Sequence, residues 1–197
     1  MGYVLSGCSP ADLTLEHFRS RNIACLYFHV ILGGKELVDD LGQSMPLHDF
    51  YQAMVDGAET HTSQPSVGDY AEHFESILKE GEDVLHVCLS SGISGSYNSA
   101  CQAARNMEQK YPGRRVVVVD SLAASSGYGL LLDMMADQRD AGLSLDELRD
   151  WAENNKKRIH HWFFSTDLTF YIRGGRVTRT AGFIGQLLNI CPLLNVD

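Results

Sequence analysis

Val84-Leu85-His86-Val87-Cys88-Leu89, running into Ser90-Ser91-Gly92-Ile93-Ser94-Gly95-Ser96-Tyr97-Asn98-Ser99-Ala100, is the stretch that decides the fold. Its first part reads as a buried strand. Beyond the serines, Ala100, Ala103, Ala104 and Met107 recur at helical spacing. A strand that passes into a helix through small hydroxyl residues and glycines aims unpaired backbone N–H groups outward. It also sets hydroxyl donors beside a positive helix end, which together make an anion pocket. Glycine lets a ligand come close to the backbone because no Cβ intervenes. The same residues also describe an ordinary N-capped helix after a strand, and this stretch alone does not separate the two.

Upstream, Tyr3–Leu5 reads as a short first strand, and Ser9-Pro10 as a helix start with Ser9 as N-cap. Residues 23–30 read as a second strand. Gly33-Gly34 reads as a hairpin turn into Leu37-Val38. Pro46 opens a helix through Phe50, Met54 and Val55 that Gly57 stops. In His61-Thr62-Ser63-Gln64-Pro65-Ser66, Pro65 disfavours helix at Gln64, so the segment is expected to be extended with its hydroxyls projecting. Ser66 caps the next helix, which Gly81 ends.

Downstream, Tyr111-Pro112-Gly113 closes the helix that follows the serines. Val116 to Val119 is a β-branched run of the kind found in parallel strands buried on both faces. Asp120-Ser121 lies at its carboxyl end, beside Ser125-Ser126-Gly127. The next helix stops at Gly142, and Ser144-Leu145-Asp146-Glu147 is a capping box for another. Strands alternating with helices in this rhythm predict an α/β fold with a mostly parallel sheet flanked by helices. Ligands of such sheets sit outside the carboxyl ends of the strands, and Thr62, Ser94 and Ser121 all fall near predicted strand ends or loops, although spacing alone does not make them converge.

The character changes near residue 158. Trp162-Phe163-Phe164-Ser165 reads as a strand, and Arg173-Gly174-Gly175-Arg176 follows. A short amphipathic helix (Phe183, Ile184, Leu187, Leu188) and the apolar run 190–196 complete the chain. The expectation is one α/β domain over 1–158 and the incomplete beginning of a second α/β domain over 159–197.

The 197 residues carry a formal charge of −9, which argues against nucleic acid or an anionic membrane surface as the main partner. A local helix end can still hold a small anion. No apolar run approaches the ~20 residues of a membrane span, and no signal peptide opens the chain. Five cysteines without CxxC spacing read as reduced thiols of a cytosolic protein. The eight histidines form no metal-binding pattern, and the rings of His160-His161 would point to opposite faces of a strand. No metal or cofactor is expected.

Gly92-Ile93-Ser94-Gly95-Ser96 misses the Gly-x-Ser-x-Gly elbow of serine hydrolases by one position. Gly127-Tyr128-Gly129 lacks the third glycine of a dinucleotide fingerprint, because Leu132 stands there, and close packing explains two glycines better. In Arg173-Gly-Gly-Arg176 the guanidinium forks suit carboxylate or phosphate, although a glycine turn with solvated arginines fits as well. Asp39 and Asp40 read as loop charges, one of which could orient an arginine or hydroxyl.

Taken together, Thr62-Ser63-Gln64-Pro65-Ser66, the serine stretch from Ser90 to Ala100, Val119-Asp120-Ser121, Gly174-Gly175-Arg176 and Leu188-Asn189-Ile190-Cys191-Pro192 resemble the DegV family of bacterial fatty-acid-binding proteins. The resemblance covers nearly the whole chain. It implies a two-domain α/β carrier, not an enzyme, that holds one long-chain fatty acid in an apolar tunnel between domains. Hydroxyls at Thr62 and Ser94, with N–H groups near Gly95, would hold the carboxylate. Ser63, Ser91, Ser121 and Arg176 could support them, and Phe28, Phe163, Phe164, Phe183, Ile184 and Leu187 are candidates for the tail. The resemblance also implies a fatty acid kinase as partner, which makes acyl phosphate from the presented ligand. Two departures stand out. Cys8-Ser9-Pro10 occupies the place of the family's Asp-Ser-Thr, and the family runs on past residue 197. The rival expectations are an enzyme that uses the serine loop as an oxyanion or phosphate cradle for a small substrate, and a partner-docking module without a ligand.

Overall fold

The computed structural model describes residues 2–165, 167–175 and 193–195. The chain divides into two compact units, Met1–Ile159 and His160–Asp197. The candidates Arg176, Phe183, Ile184 and Leu187 lie outside the described residues.

In the first unit a parallel sheet of four strands has the order β2-β1-β6-β7. These are β1 (Tyr3–Cys8), β2 (Ala24–Leu26), β6 (Asp83–Cys88) and β7 (Val116–Asp120). Helices α1 (Leu15–Ser20), α3 (Val67–Lys79), α4 (Ser96–Lys110), α5 (Ser125–Asp140) and α6 (Leu145–Asn155) flank it. All six residues of β6 are buried, as a central strand covered on both faces requires. The core joins Leu5, Leu85 and Val87 of the sheet to Phe74 of α3, Ala103 of α4 and Leu131 of α5. Burying each such Leu or Phe contributes about 1.5–3 kcal/mol.

A second sheet, antiparallel and ordered β4-β3-β5, stands beside the first. It comprises β3 (His29–Leu32), β4 (Lys35–Val38) and β5 (Thr60–Ser63), with α2 (Leu47–Val55) between β4 and β5. Gly33 and Gly34 have φ of 57° and 80°, the two positive values a type I′ hairpin needs, and they join β3 to β4 as expected. In β5, Thr62 lies opposite Val30, so the Thr62–Ser63 segment is extended as Pro65 requires.

Three local expectations are corrected. Ser9 caps no α-helix: Ser9–Ala11 is a single 3-10 turn, and the Ser9 hydroxyl accepts the Phe28 N–H at 3.1 Å. The first α-helix begins six residues later, capped by Thr14. Residues 23–30 form no continuous strand. The chain leaves the parallel sheet at Leu26 and enters the antiparallel one at His29, turning where Ser9 holds Phe28. Finally, β7 is an edge strand, so Val117 and Val118 are only half-buried despite the β-branched run.

Other sequence signals have the structure they imply. Ser66 with Asp69 and Ser144 with Glu147 form reciprocal capping boxes at α3 and α6. A Cβ on Gly129 would stand 2.2 Å from the Ala11 carbonyl oxygen, so glycine there serves the close approach of α5 to the turn after β1.

Cys8 is fully buried at the end of β1. Its N–H donates to the Tyr128 hydroxyl at 2.8 Å, which itself donates to the Val87 carbonyl at 2.6 Å. The Cys8 sulfur lies 3.6 Å from the Tyr70 hydroxyl and 3.5 Å from His86 Nε2. Ser6 Oγ then joins His86 Nδ1, at 2.9 Å, to His73 Nε2, at 2.7 Å. Burial pushes the Cys8 thiol up to about 12, so it remains protonated and packs as a small apolar group.

In the second unit, β8 (Trp162–Phe164) pairs antiparallel with β9 (Leu193–Asn195), and α7 spans Thr169–Arg173. Phe163 stacks on Tyr171 with ring centroids 6.2 Å apart, while Phe164 is exposed. The Arg173 guanidinium lies over the Phe170 ring at 5.5 Å.

Candidate functional site

From β1 the chain crosses to β2 on one side, and from β6 it crosses to β7 on the other. The loops after β1 and β6 therefore diverge, which opens a crevice at the carboxyl ends of the parallel strands. Ser9–Ala11 follows β1 and Ser90–Gly95 follows β6, so the serine loop stands at this switch point.

The loop is built by its own hydroxyls. The N–H groups of Ile93 and Ser94 both donate to the Ser90 carbonyl at 3.2 Å, and Ser90 Oγ accepts the Gly92 N–H at 3.2 Å. Asp120 braces it from the end of β7, accepting the Ser91 and Leu122 N–H groups at 3.1 Å each. Lys156 Nζ donates to the Asp120 carbonyl at 2.9 Å. Ser94 Oγ accepts the Ser96 N–H at 3.2 Å, and the Gly95 carbonyl accepts that of Ser99 at 3.2 Å. The first-turn N–H groups of Tyr97 and Asn98 have no partner within α4, whose positive end is thereby turned to the loop. Ser96 Oγ is fully buried without a hydrogen-bond partner.

The strand that carries Thr62 is tied to the serine loop by Gln64, a residue that sequence reading passed over. Gln64 lies two positions after Thr62. Its Oε1 accepts the Ser94 hydroxyl at 3.3 Å, and its Nε2 donates to Ser99 Oγ at 3.3 Å. Ser94 is half-buried, whereas Thr62, Ser63 and Gly95 are exposed. Thr62, but neither Ser94 nor Gly95, lines an open cavity of about 590 Å³ bounded by the turn after β1, by β3 and β4, by the loop 39–46 and by α2. Its apolar walls include Leu13, Phe28, Val30, Leu37, Leu41 and Phe50, with Asp12, His29 and Asp39 as polar groups among them. The volume is within the roughly 300–1,000 Å³ of ligand pockets.

The remaining candidates divide. Phe28 is buried and lines this cavity. Ser91 is exposed on the loop, and its backbone is held by Asp120. Ser63 is exposed, and its hydroxyl donates to the Gln64 carbonyl at 3.4 Å. Ser121 is fully buried, donating to the Ala123 carbonyl at 3.2 Å and accepting the Ala123 N–H at 3.1 Å, so its hydroxyl shapes the loop after β7. Asp40 accepts the Gln43 and Ser44 N–H groups at 2.9 Å and fixes the loop at the cavity edge. Of the five non-glycine residues with positive φ among the described residues, Asp12 and Leu41 line the cavity, Leu122 and Ser125 lie between β7 and the first turn of α5, and Asn22 follows α1. Such strain, about 1–3 kcal/mol each, gathers at binding sites. Among the described residues no group of three or more His, Cys, Asp or Glu could hold a metal ion, and no helix is long and apolar enough to cross a membrane.

Residues 9–197 match the family model described as uncharacterised protein, DegV family. A DegV domain-containing protein of Clostridium perfringens is 34% identical over 195 residues, covering 99% of this chain and 67% of its own length. A solved structure from Thermus thermophilus, described as fatty acid binding of a DegV family protein, superimposes with a TM-score of 0.84 at 32% identity. The match covers all of this chain and 68% of that one. A stearic-acid-binding protein from Eubacterium ventriosum gives 0.79 at 28% identity over 93% of this chain and 64% of that one. The chain thus spans about two thirds of the length of these relatives.

Proposed function

Since this chain belongs to the DegV family, we propose that it binds a long-chain fatty acid, with the carboxylate on Thr62 and Ser94 and the tail against apolar walls that begin at Phe28. The observation that carries the reading is the placement of Thr62. It is exposed, lines an apolar cavity, and is linked through Gln64 to the hydroxyl-lined end of α4. A buried carboxylate needs donors. Thr62 and Ser94 supply O–H groups, and the first turn of α4 adds N–H groups and the positive helix end. The tail needs only an apolar wall, at about 0.8 kcal/mol per buried CH₂. No metal or cofactor is required for this task.

Binding is a better reading than catalysis because the Ser94 proton is directed to an amide oxygen. An amide is too weak a base to make that serine a nucleophile. The exposure of Thr62 and Gly95 supports a ligand whose carboxyl end stays reachable. A fatty acid kinase could then place a phosphoryl group on a carboxylate oxygen while this protein acts as the carrier, which suits a cytosolic location.

The test is affinity for a fluorescent fatty acid, with native mass spectrometry of the purified protein for bound acyl chains. Thr62→Ala combined with Ser94→Ala is expected to weaken binding by about 1.5–3 kcal/mol per lost hydroxyl, the range for a hydrogen bond to a charged group. Unchanged affinity in the double variant would overturn the assignment.

A further inference from the structure

We propose that Gln64 is the positioning residue of the headgroup site, holding the Ser94 hydroxyl in place and keeping the ground beside the ligand's carboxylate uncharged. The inference rests on the fatty-acid reading above and deepens it.

Both ends of the Gln64 amide are engaged on the serine side of the crevice, Oε1 by Ser94 and Nε2 by Ser99. The amide also lies against the backbone of Gly95. A Cβ there would stand 2.8 Å from Oε1 and 3.0 Å from Nε2. Gly95 has an ordinary negative φ of −76°, so its backbone conformation does not demand glycine; a Cβ there would instead displace the amide end of Gln64. Gln64 and Gly95 are therefore one device, linking the edge strand that carries Thr62 to the helix end that carries Ser94.

A serine hydroxyl has one proton. Ser94 donates it to Gln64 and uses its oxygen to accept the Ser96 N–H. An arriving carboxylate must take that proton from Gln64, exchanging a long neutral hydrogen bond for a charge-assisted one roughly twice as strong. The exchange favours the ligand only if the group left behind carries no charge. Glutamine satisfies this condition, and glutamate of the same shape does not.

The test measures fluorescent fatty acid affinity of the full chain between pH 5 and 8, each variant taken as a ratio to wild type so that the ligand's own ionisation cancels. Gln64→Glu is expected to lose tenfold or more at pH 8 and to regain most of it toward pH 5, as the new carboxyl takes up a proton. A purely structural role would give a ratio independent of pH. Gln64→Met, of similar length but unable to accept the Ser94 proton, should lose affinity equally at every pH. Gly95→Ala should also lose affinity, and adding it to Gln64→Ala should cost nothing further, because the clash is gone. A flat Gln64→Glu profile in a wild type that binds would sink this assignment alone. A wild type that binds no fatty acid would sink the fatty-acid reading and this assignment with it.

Discussion

Acidification is expected to weaken the fold between pH 6.5 and 4, beginning above the range where exposed carboxylates titrate, because of His73 and His86. His86 is fully buried and His73 half-buried between β1, β6 and α3, and Ser6 Oγ bridges them. They are surrounded by Phe74, 5.9 Å from His73 and 5.3 Å from His86, and by Tyr70, 5.4 Å from His86. No carboxylate is among these partners. The chain Ser6–His86–Cys8 is satisfied when both imidazoles are neutral, since each ring nitrogen facing Ser6 then donates or accepts as the hydroxyl requires. Protons on both rings would make both nitrogens facing Ser6 donors and leave the Ser6 proton without an acceptor. Burial accordingly lowers His73 from 6.5 to about 4, and burial together with His73 lowers His86 well below its ordinary value. The sign follows. Between pH 6.5 and 4 the unfolded chain binds a proton at residue 73 that the folded chain refuses, so stability is complete above 6.5 and falls as the pH drops. At 1.36 kcal/mol per unit, the His73 shift corresponds to about 3 kcal/mol, and His86 adds loss in the same direction. Urea denaturation midpoints at pH 7.5, 6, 5 and 4 measure this. His73→Gln, which retains a hydrogen bond to Ser6 and takes up no proton, should flatten the curve. Stability that is level from pH 7 to 4.5, or an acid loss unchanged in His73→Gln, would refute the reasoning.

Two further outcomes follow from packing. Gly129→Ala is expected to destabilise the protein by roughly 1–3 kcal/mol, because the added methyl meets the Ala11 carbonyl oxygen at 2.2 Å and the turn after β1 must move; thermal denaturation reads this directly. Ser96→Ala is expected to stabilise the ligand-free protein by about 1 kcal/mol, since it deletes a buried hydroxyl that has no partner, and a lowered melting temperature would count against that account.

Much of the fold was legible because its signals are local. The buried run of β6, the capping boxes of Ser66 and Ser144 and the glycine hairpin at Gly33-Gly34 each dictate their own conformation. Non-local partners were not legible. Ser9 followed by Pro10 reads as a helix start, yet its hydroxyl serves Phe28, nineteen residues away, where the chain changes sheets. Nothing in the β-branched run of β7 says that it is an edge strand; that depends on which strands pair. The site divides in the same way. Thr62 and Ser94 were readable as hydroxyls near strand ends, whereas Ser121, of the same residue type and also at a strand end, is closed on its own loop. Gln64 escaped notice because its signal is the pairing of a long amide with a glycine thirty-one positions on, which only the fold brings into contact. The burial of Cys8 among Tyr70, His86 and Tyr128 likewise depends on three elements distant in sequence.

On the fatty-acid reading, the choice of hydroxyls for the headgroup has an energetic logic. Each hydrogen bond to a carboxylate contributes about 1.5–3 kcal/mol, while each buried CH₂ of the tail contributes about 0.8 kcal/mol. Four or more methylenes therefore outweigh either hydroxyl, and a long tail dominates the affinity. The headgroup contacts then fix which end faces the opening more than how tightly the ligand is held. Neutral donors on the switch-point loop, with the positive end of α4 behind them, orient the acid without trapping it. That arrangement suits a protein of net charge −9, whose overall field repels the anion that its local geometry receives.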